Sequence, residues 1–539
     1  MMNNSIREKG AWYHRAMSKR ADVVKILLAI VFLSLVFLPL LRMFLQMDGE
    51  SLRNVFQAPS FTSSVLHSLI SALLSTVITV ALAFALAMWI ERTNIRLRGL
   101  FSILFVLPML VPSISHGMGL IILFGNNGIL TQLLGWEGNI YGLSGIVLGS
   151  VLYAFPVAFL MLSDIIRYED SSPYEAATVL GLSKARQFTA ITLPYLRKPL
   201  ISVVFSVFTL VITDYGVPVM VGGQYKTLAV VMYEEAVGLA HLGEGAVLGS
   251  LLLLPAIIAF VIDLFNKDRG NMTFVIKPHA RSNRLGKKIA AYVGCTAVSL
   301  FVLMPIASFV ILAFSSDYPN DLSFTFAHFA RAKQLYAVDY LLNSLIIALL
   351  VAIIGVCVAF MTAYLAARMK SKMSRFLHLS AMTSAAIPGM VLGLSYVLAF
   401  KSLPIYGTIL ILVMVNLIHF IASPYLMIYN SLSKINENLE PVAQTMRIDR
   451  IHMIRDVFIP QCKGTLVEMF SYFFVNCMVT ISAVSFLAKV SNRPISLLIN
   501  QLEQRGQFEC IAVVSLLILA VNLAVKGIAY LFKAKHKQR

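Results

Sequence analysis

Ionisable and polar side chains inside long apolar runs are costly unless they face protein or water, so they are the first residues to question for chemistry. In SVVFSVFTLVITDYGVPVMVGGQY, Asp214 is such a residue. It could draw a cation or an amine into a path through a membrane; the plainer reading is a structural acid bonded to a neighbouring helix. Tyr215 beside it could stack on a solute or simply pack. A second stretch, NCMVTISAVS, places Thr480 and Ser482 266 positions after Asp214 and Gly216, with Asn476 one turn earlier. An intramembrane Asn is more often a bond between helices than a ligand. Glu468, near the end of that run, carries less weight. His116 and His419 also fall in apolar runs, where proton coupling or a plain interhelical hydrogen bond would use them. No paired carboxylates, nucleophilic triad or metal-ligand spacing accompanies these residues. The five cysteines (Cys295, Cys357, Cys462, Cys477 and Cys510) show no paired spacing, and most lie in apolar runs as small hydrophobes. Gly286-Lys287-Lys288 lacks the Ser or Thr with which a phosphate loop holds magnesium. The chain therefore reads as a non-enzyme with no metal or cofactor of its own.

A different pattern occupies SPYEAATVLGLSKARQFTAITLP, Ser172 to Pro194. It is moderately polar and lies between two apolar runs. Ser172 is a helix cap, Pro173 suits the first helical position, and Glu175 completes a Ser-x-x-Glu capping box. Gly181 is a natural stop. Ser183 caps a second short helix, Lys184 to Thr192, before Pro194 opens the next run. The local expectation is helix, sharp break, helix, held at a membrane surface.

The spacing of Glu175-Ala176-Ala177, Gly181, Ile191 and Leu193-Pro194 resembles the EAA loop of ABC-importer permeases, position for position. The resemblance implies a cytosolic coupling element that docks into a groove on a separate ATPase. It further implies a homodimeric ATPase that carries ATP and magnesium, and a soluble solute-binding protein outside the cell. The residue types suit that task. Two alanines allow close approach, the glycine sets an angle, and the glutamate offers an ion-pair partner.

The 539 residues are 58% hydrophobic and 13% charged, with mean hydropathy +0.80. That composition excludes a soluble globular domain and predicts an all-α, polytopic membrane protein. Runs of about 20 apolar residues mark spans. They fall at 24–47, 65–89, 99–123, 144–163, 200–221 and 245–265, and again at 289–314, 341–367, 376–400, 406–429, 466–488 and 508–532. Pro108, Pro112 and Pro388 predict breaks in the third and ninth. The basic N-terminal residues before the first run, without a small-residue cleavage site, predict a retained span rather than a removed signal peptide. With a cytosolic N-terminus and twelve spans, 35 of the 44 Lys and Arg fall on the cytosolic side. This asymmetry predicts cytosolic termini and accounts for the net charge of +18 without a nucleic-acid partner.

The chain also repeats itself. At the same offset of 266, Pro194 meets Pro460 in LEPVAQTMRIDRIHMIRDVFIP, Ala177 meets Ala443 and Ser183 meets Asp449. This second loop, 439–460, is degenerate: Arg447 replaces Gly181, and Glu440 stands one place before the position of Glu175. Two six-span permease domains of the type I ABC-importer class are expected, 1–265 and 289–539, joined by a basic cytosolic linker, 266–288. The first loop is expected to couple more strongly.

TDYGVPVMVGGQYKTLA and NCMVTISAVSFL resemble a narrower group, the fused two-domain permeases related to ferric-iron, polyamine and thiamine permeases. Within it the chain is most similar to 2-aminoethylphosphonate permeases of the bacterial inner membrane. Ferric iron, a polyamine or thiamine are the alternative cargoes. An ion-coupled secondary carrier, also built from repeats, is the rival class; it would have no use for the bent cytosolic loop.

Overall fold

The computed structural model describes residues 22–135, 138–266, 277, 279–318, 320–369, 371–446 and 448–537. Residues 267–276 and 278 of the linker, and Arg447, lie outside the described residues. Among those described, nine helices are long and apolar enough to cross a membrane, or eleven when each of two bent pairs counts as one span. The remaining expected span, 466–488, is α-helical over Lys463–Val479, with a short 3-10 turn at Val484–Phe486. The helix stops at Thr480, whose ψ of 140° is extended. The fifth expected span, 200–221, likewise ends early, at Ile212, and a separate short helix follows at Gly216–Val221. The expected breaks at prolines are present. Arg98–Leu110 and Ser113–Phe124 are separated at Pro112, and Lys372–Ala386 meets Gly389–Phe400 at 111° across Pro388. Proline lacks the N–H that would continue each ladder.

The longest helices show how the sequence packs in an apolar solvent. Phe61–Arg92 buries Ser64, Ser68, Ser71, Ser75, Thr79, Ala83 and Ala87, spaced three or four apart, and packs along Leu143–Arg167. Small residues allow two backbones to approach closely where lipid supplies no hydrophobic drive. Leu66, Leu73 and Val77 face outward from the same helix.

The repeat is visible in the helices, with a shift the sequence offset did not contain. Leu143–Arg167 recurs as Ile409–Ser433, 266 positions on. Phe61–Arg92 recurs as Ala337–Arg368, 276 positions on. The difference lies in the connection after Phe124, which is ten residues longer than its counterpart after Phe400. The halves interlock. Asp22–Leu45 packs on Gly389–Phe400, where the Tyr396 hydroxyl donates to the Leu35 carbonyl at 2.8 Å. Leu285–Phe314 packs on Ser113–Phe124, and a Cβ on Gly119 would come within 2.5 Å of Pro305. Each half is thus covered by the first helix of the other.

Candidate docking arms and the central path

The first arm contains Ser172–Val179, then a turn, then a helix that begins at Lys184. Gly181 has φ +72°, where a side chain would be strained. The Leu182 N–H donates to the Ala177 carbonyl at 2.9 Å, closing the first helix. Ser183 accepts from the Arg186 N–H at 3.4 Å, as the sequence predicts for a cap. The capping box does not form. Ser172 is already helical, and its N–H and Oγ bond to Asp170 at 3.1 and 3.0 Å. Glu175 is instead 2.8 Å from the ammonium of Lys277, with both side chains more than half exposed. Nor does the second helix end before Pro194. It continues as one helix, Lys184–Ile212, through a widened turn at Phe188–Thr192 that lets the proline enter without a clash.

Ala177 is buried, Ala176, Leu193 and Pro194 are exposed, and Ile191 is half-buried. Leu180, at the tip, is 77% exposed and Val179 more so. The second arm has the same plan. Leu439–Thr445 is followed by Arg450–Met453, capped by Asp449, which accepts from the Arg450 N–H at 2.8 Å. A widened turn, Ile454–Phe458, matches Phe188–Thr192 at the offset of 266. Ala443 is buried like Ala177, Pro460 is exposed like Pro194, and Met446, which corresponds to Leu180, is 66% exposed.

Arginines at equivalent helix ends hold both arms, and the sequence alone did not single them out. Arg92, the last residue of Phe61–Arg92, pairs with Glu169 and lies over the Tyr174 ring at 5.4 Å. Tyr174 bonds to Glu169 and, at 2.6 Å, to Thr192, so one network ties both short segments to the helix end. Arg368, the last residue of Ala337–Arg368, pairs with Glu440, donates to the carbonyls of Ile435 and Asn436 at 2.7 and 2.8 Å, and lies over Phe458 at 5.4 Å. Glu440 therefore does what Glu169 does in the first half, pairing with the helix-end arginine, and not what Glu175 does. The described part of the linker also lies on the first arm. The Ser171 N–H donates to the Lys277 carbonyl at 2.8 Å, and the Ser282 N–H donates to the Arg92 carbonyl at 2.9 Å. A basic residue at a helix end reads in sequence as a topology signal, which conceals the clamping role of Arg92 and Arg368.

The central residues meet where the helices break. The Asp214 carboxylate accepts from the Gly216 and Val217 N–H groups at 3.3 and 2.9 Å, capping the short helix that follows. Tyr215 is fully buried; its hydroxyl accepts from Asn500 Nδ2 of the other half at 3.1 Å, and its ring packs on Tyr233 at 4.5 Å. A Cβ on Gly216 would lie 2.7 Å from Ile481, so the two broken segments are in contact. The Thr480 carbonyl accepts from Ser496 Oγ at 2.7 Å, and Ser482 fills the space beside Gly389. Asn476 donates to Tyr472 of its own helix at 2.8 Å rather than across helices. His116 bonds to the Pro108 carbonyl at 3.0 Å, an ordinary packing role, and His419 lies beside Gly389. Glu468 pairs with Lys533 at the surface, away from this region.

Two interlocked copies of one helical unit, each projecting a bent polar arm, define a multi-pass helical membrane protein built as a tandem repeat. The chain belongs to the family described as binding-protein-dependent transport system inner membrane component, whose model matches it twice, over residues 78–267 and 355–538. The chain is similar to the ferric transport system permease protein FbpB of Actinobacillus pleuropneumoniae, 23% identical over 81% of this chain and 66% of the relative. It is also similar to the molybdenum transport system permease protein ModB of Azotobacter vinelandii, 25% identical over 33% of this chain and 81% of the relative. The thiamine transport system permease protein ThiP of Haemophilus influenzae is 30% identical over 30% of each chain. The chain spans about two thirds of the length of the ferric relative.

Proposed function

We propose that this chain is the membrane-spanning subunit of an ATP-driven importer in the bacterial cytoplasmic membrane, with both termini cytosolic. Residues 1–265 and 289–539 form its two permease domains, and 266–288 links them on the cytosolic side. The arms at 172–194 and 439–460 dock on a homodimeric ATPase, which carries ATP and magnesium. A soluble binding protein delivers the solute from outside. ATP draws the ATPase subunits together and the arms with them. The two halves then shift between inward-open and outward-open states, a population change biased by differential binding. The segments at Asp214–Gly216 and Thr480–Ser482 border the solute path.

The observation that carries this reading is the matched pair of bent arms, each fastened to an arginine and each ending in an exposed apolar side chain, Leu180 or Met446. On this reading the exposed tips, Val179 and Leu180 on the first arm and Met446 on the second, make the contact with the ATPase. Leu180→Asp together with Met446→Asp is expected to abolish ATPase stimulation while leaving the membrane subunit folded. Unaltered stimulation, or uptake on an ion gradient without the ATPase, would sink the proposal.

On the resemblance of the fifth-span stretch, the cargo is 2-aminoethylphosphonate. A ferric cargo is the second reading, favoured by the ferric relative's match over most of this chain. Binding by the partner receptor, measured across aminophosphonates, ferric iron, polyamines and thiamine, separates them.

A further inference from the structure

Far from the arms, Leu242–Asn266 begins beside a compact group of ligating side chains. This helix has 25 residues, so its start lies about 37 Å along its axis from its last turn. Ser60 and Ser64, at the start of Phe61–Arg92, line a cavity with Glu244, while Arg92 at the far end of that 32-residue helix pairs with Glu169 under the first arm, so Leu242 lies at the opposite end of the molecule. Just before it the backbone reverses at Ala240, with φ 59°, and the His241 N–H donates to the Glu235 carbonyl at 2.9 Å. The reversal brings three side chains together. His241 Nδ1 lies 3.0 Å from Glu235 Oε2 and 3.5 Å from Glu244 Oε2. One ligand atom from each of the three falls within 4.8 Å of the others.

We propose that Glu235, His241 and Glu244 form a binding site for a transition-metal cation at the end of the molecule opposite the arms, which is the outer mouth in the orientation proposed above.

Three features favour a cation over a closed ion-pair cluster. The first is geometry. Ligand atoms about 2.1 Å from a tetrahedral metal lie about 3.4 Å apart, which matches the 3.0 and 3.5 Å edges here. The second is charge. Two carboxylates converge on a single imidazole nitrogen, which can hold one proton and donate it to one of them. Among the described residues neither carboxylate meets a lysine or arginine; Lys226 is engaged by Glu234 at 2.7 Å. The third is space. A cavity of about 40 Å³ opens beside the carboxylates, lined by Asn54, Ser60, Ser64, Glu235 and Glu244 on its polar side. It has room for a water ligand, and Asn54 Nδ2 already donates to Glu244 at 2.9 Å, orienting that carboxylate from outside. Imidazole with carboxylates selects zinc, iron or manganese over calcium or magnesium, which prefer oxygen alone.

The test uses the full chain in lipid nanodiscs, without ATPase or binding protein, so it stands or falls apart from the importer reading. Zinc is titrated calorimetrically and manganese by electron paramagnetic resonance. One saturable site per chain is expected with either ion. His241→Gln is expected to weaken it at least tenfold, and Glu235→Gln with Glu244→Gln to remove it. Glu234→Gln should leave it unchanged. His241 is half exposed, so its variant decides the question even where the double variant does not fold. No saturable binding by the unaltered chain up to millimolar metal, or equal binding by His241→Gln, overturns the proposal.

Discussion

Glu440 and Glu175 occupy neighbouring positions in the two arms, yet replacing them is expected to do different things. Arg368 is 3% exposed and Glu440 18%, and the guanidinium meets Glu440 with two nitrogens. Removing one partner of a buried pair costs about 3–5 kcal/mol because the other charge is left stranded. Here the carbonyls of Ile435 and Asn436 still compensate Arg368, which puts Glu440→Gln near the low end, about 3 kcal/mol. That is roughly a hundredfold in a folding equilibrium. Glu175 and Lys277 are 57% and 60% exposed, and a pair that open to water contributes little to stability. The expected outcome is that Glu440→Gln loses thermal stability in detergent, while Glu175→Ala keeps it and loses ATPase stimulation. Stimulation by Glu440→Ala, measured at a temperature where it is folded, is expected to fall less than that of Glu175→Ala. Equal loss of stability in both variants would refute the structural assignment. Equal loss of stimulation at matched stability would refute the stronger coupling of the first arm.

Three further outcomes are expected. Gly181→Ala, at φ +72° with nothing within 4 Å of its Cβ, should cost about 1–2 kcal/mol through backbone strain alone and impair ATPase stimulation, while Gly181→Asn should restore much of it. Gly216→Ala places a Cβ 2.3 Å from Ser113 Oγ and should destabilise by about 1–3 kcal/mol, whereas Gly99→Ala, with open space around it, should be neutral or better by thermal unfolding. His279, in the linker beside Tyr174, is held neutral by burial and by Arg92, down to a pKa of about 4 from an ordinary 6.5. The folded state there binds fewer protons than the unfolded one, so the contribution of this contact is intact above pH 6.5 and is lost as the pH falls towards 4. Protease cleavage of the linker, followed across that range in the unaltered chain and in His279→Phe, should accelerate with acid only in the former.

The spans and the arms were legible because each rests on a local signal: apolar length, a glycine at a stop, a serine at a cap. Gly181 and Ser183 could be placed without knowing any neighbour. What could not be read depended on residues distant in sequence. Ser172 failed as a cap because Asp170 reached its amide first, and Glu175 found Lys277, which lies beyond the whole sixth span. Glu440 looked like a displaced Glu175 because one offset was applied throughout, whereas its partner Arg368 follows the other. Asp214 offered a sharper puzzle: an acid in an apolar run signals a polar partner, and the partners turned out to be the Ser113 hydroxyl of a neighbouring helix and backbone amides two and three residues on, exposed by a break that the hydropathy of the run concealed. The Glu235, His241 and Glu244 group was also invisible to spacing, since a turn at Ala240 is what closes it.

In mechanical terms the Phe61–Arg92 helix is a rod of 32 residues, about 48 Å long. One tip is clamped by Glu169 under the first arm. Near the other, Ser68 Oγ accepts from the Leu228 N–H at 2.7 Å and His67 stacks on Tyr225 at 3.6 Å. If the arm moves as proposed, a single stiff element links it to the stretch around Tyr225 and Leu228, just ahead of Glu235, with no chain of side-chain rearrangements needed in between.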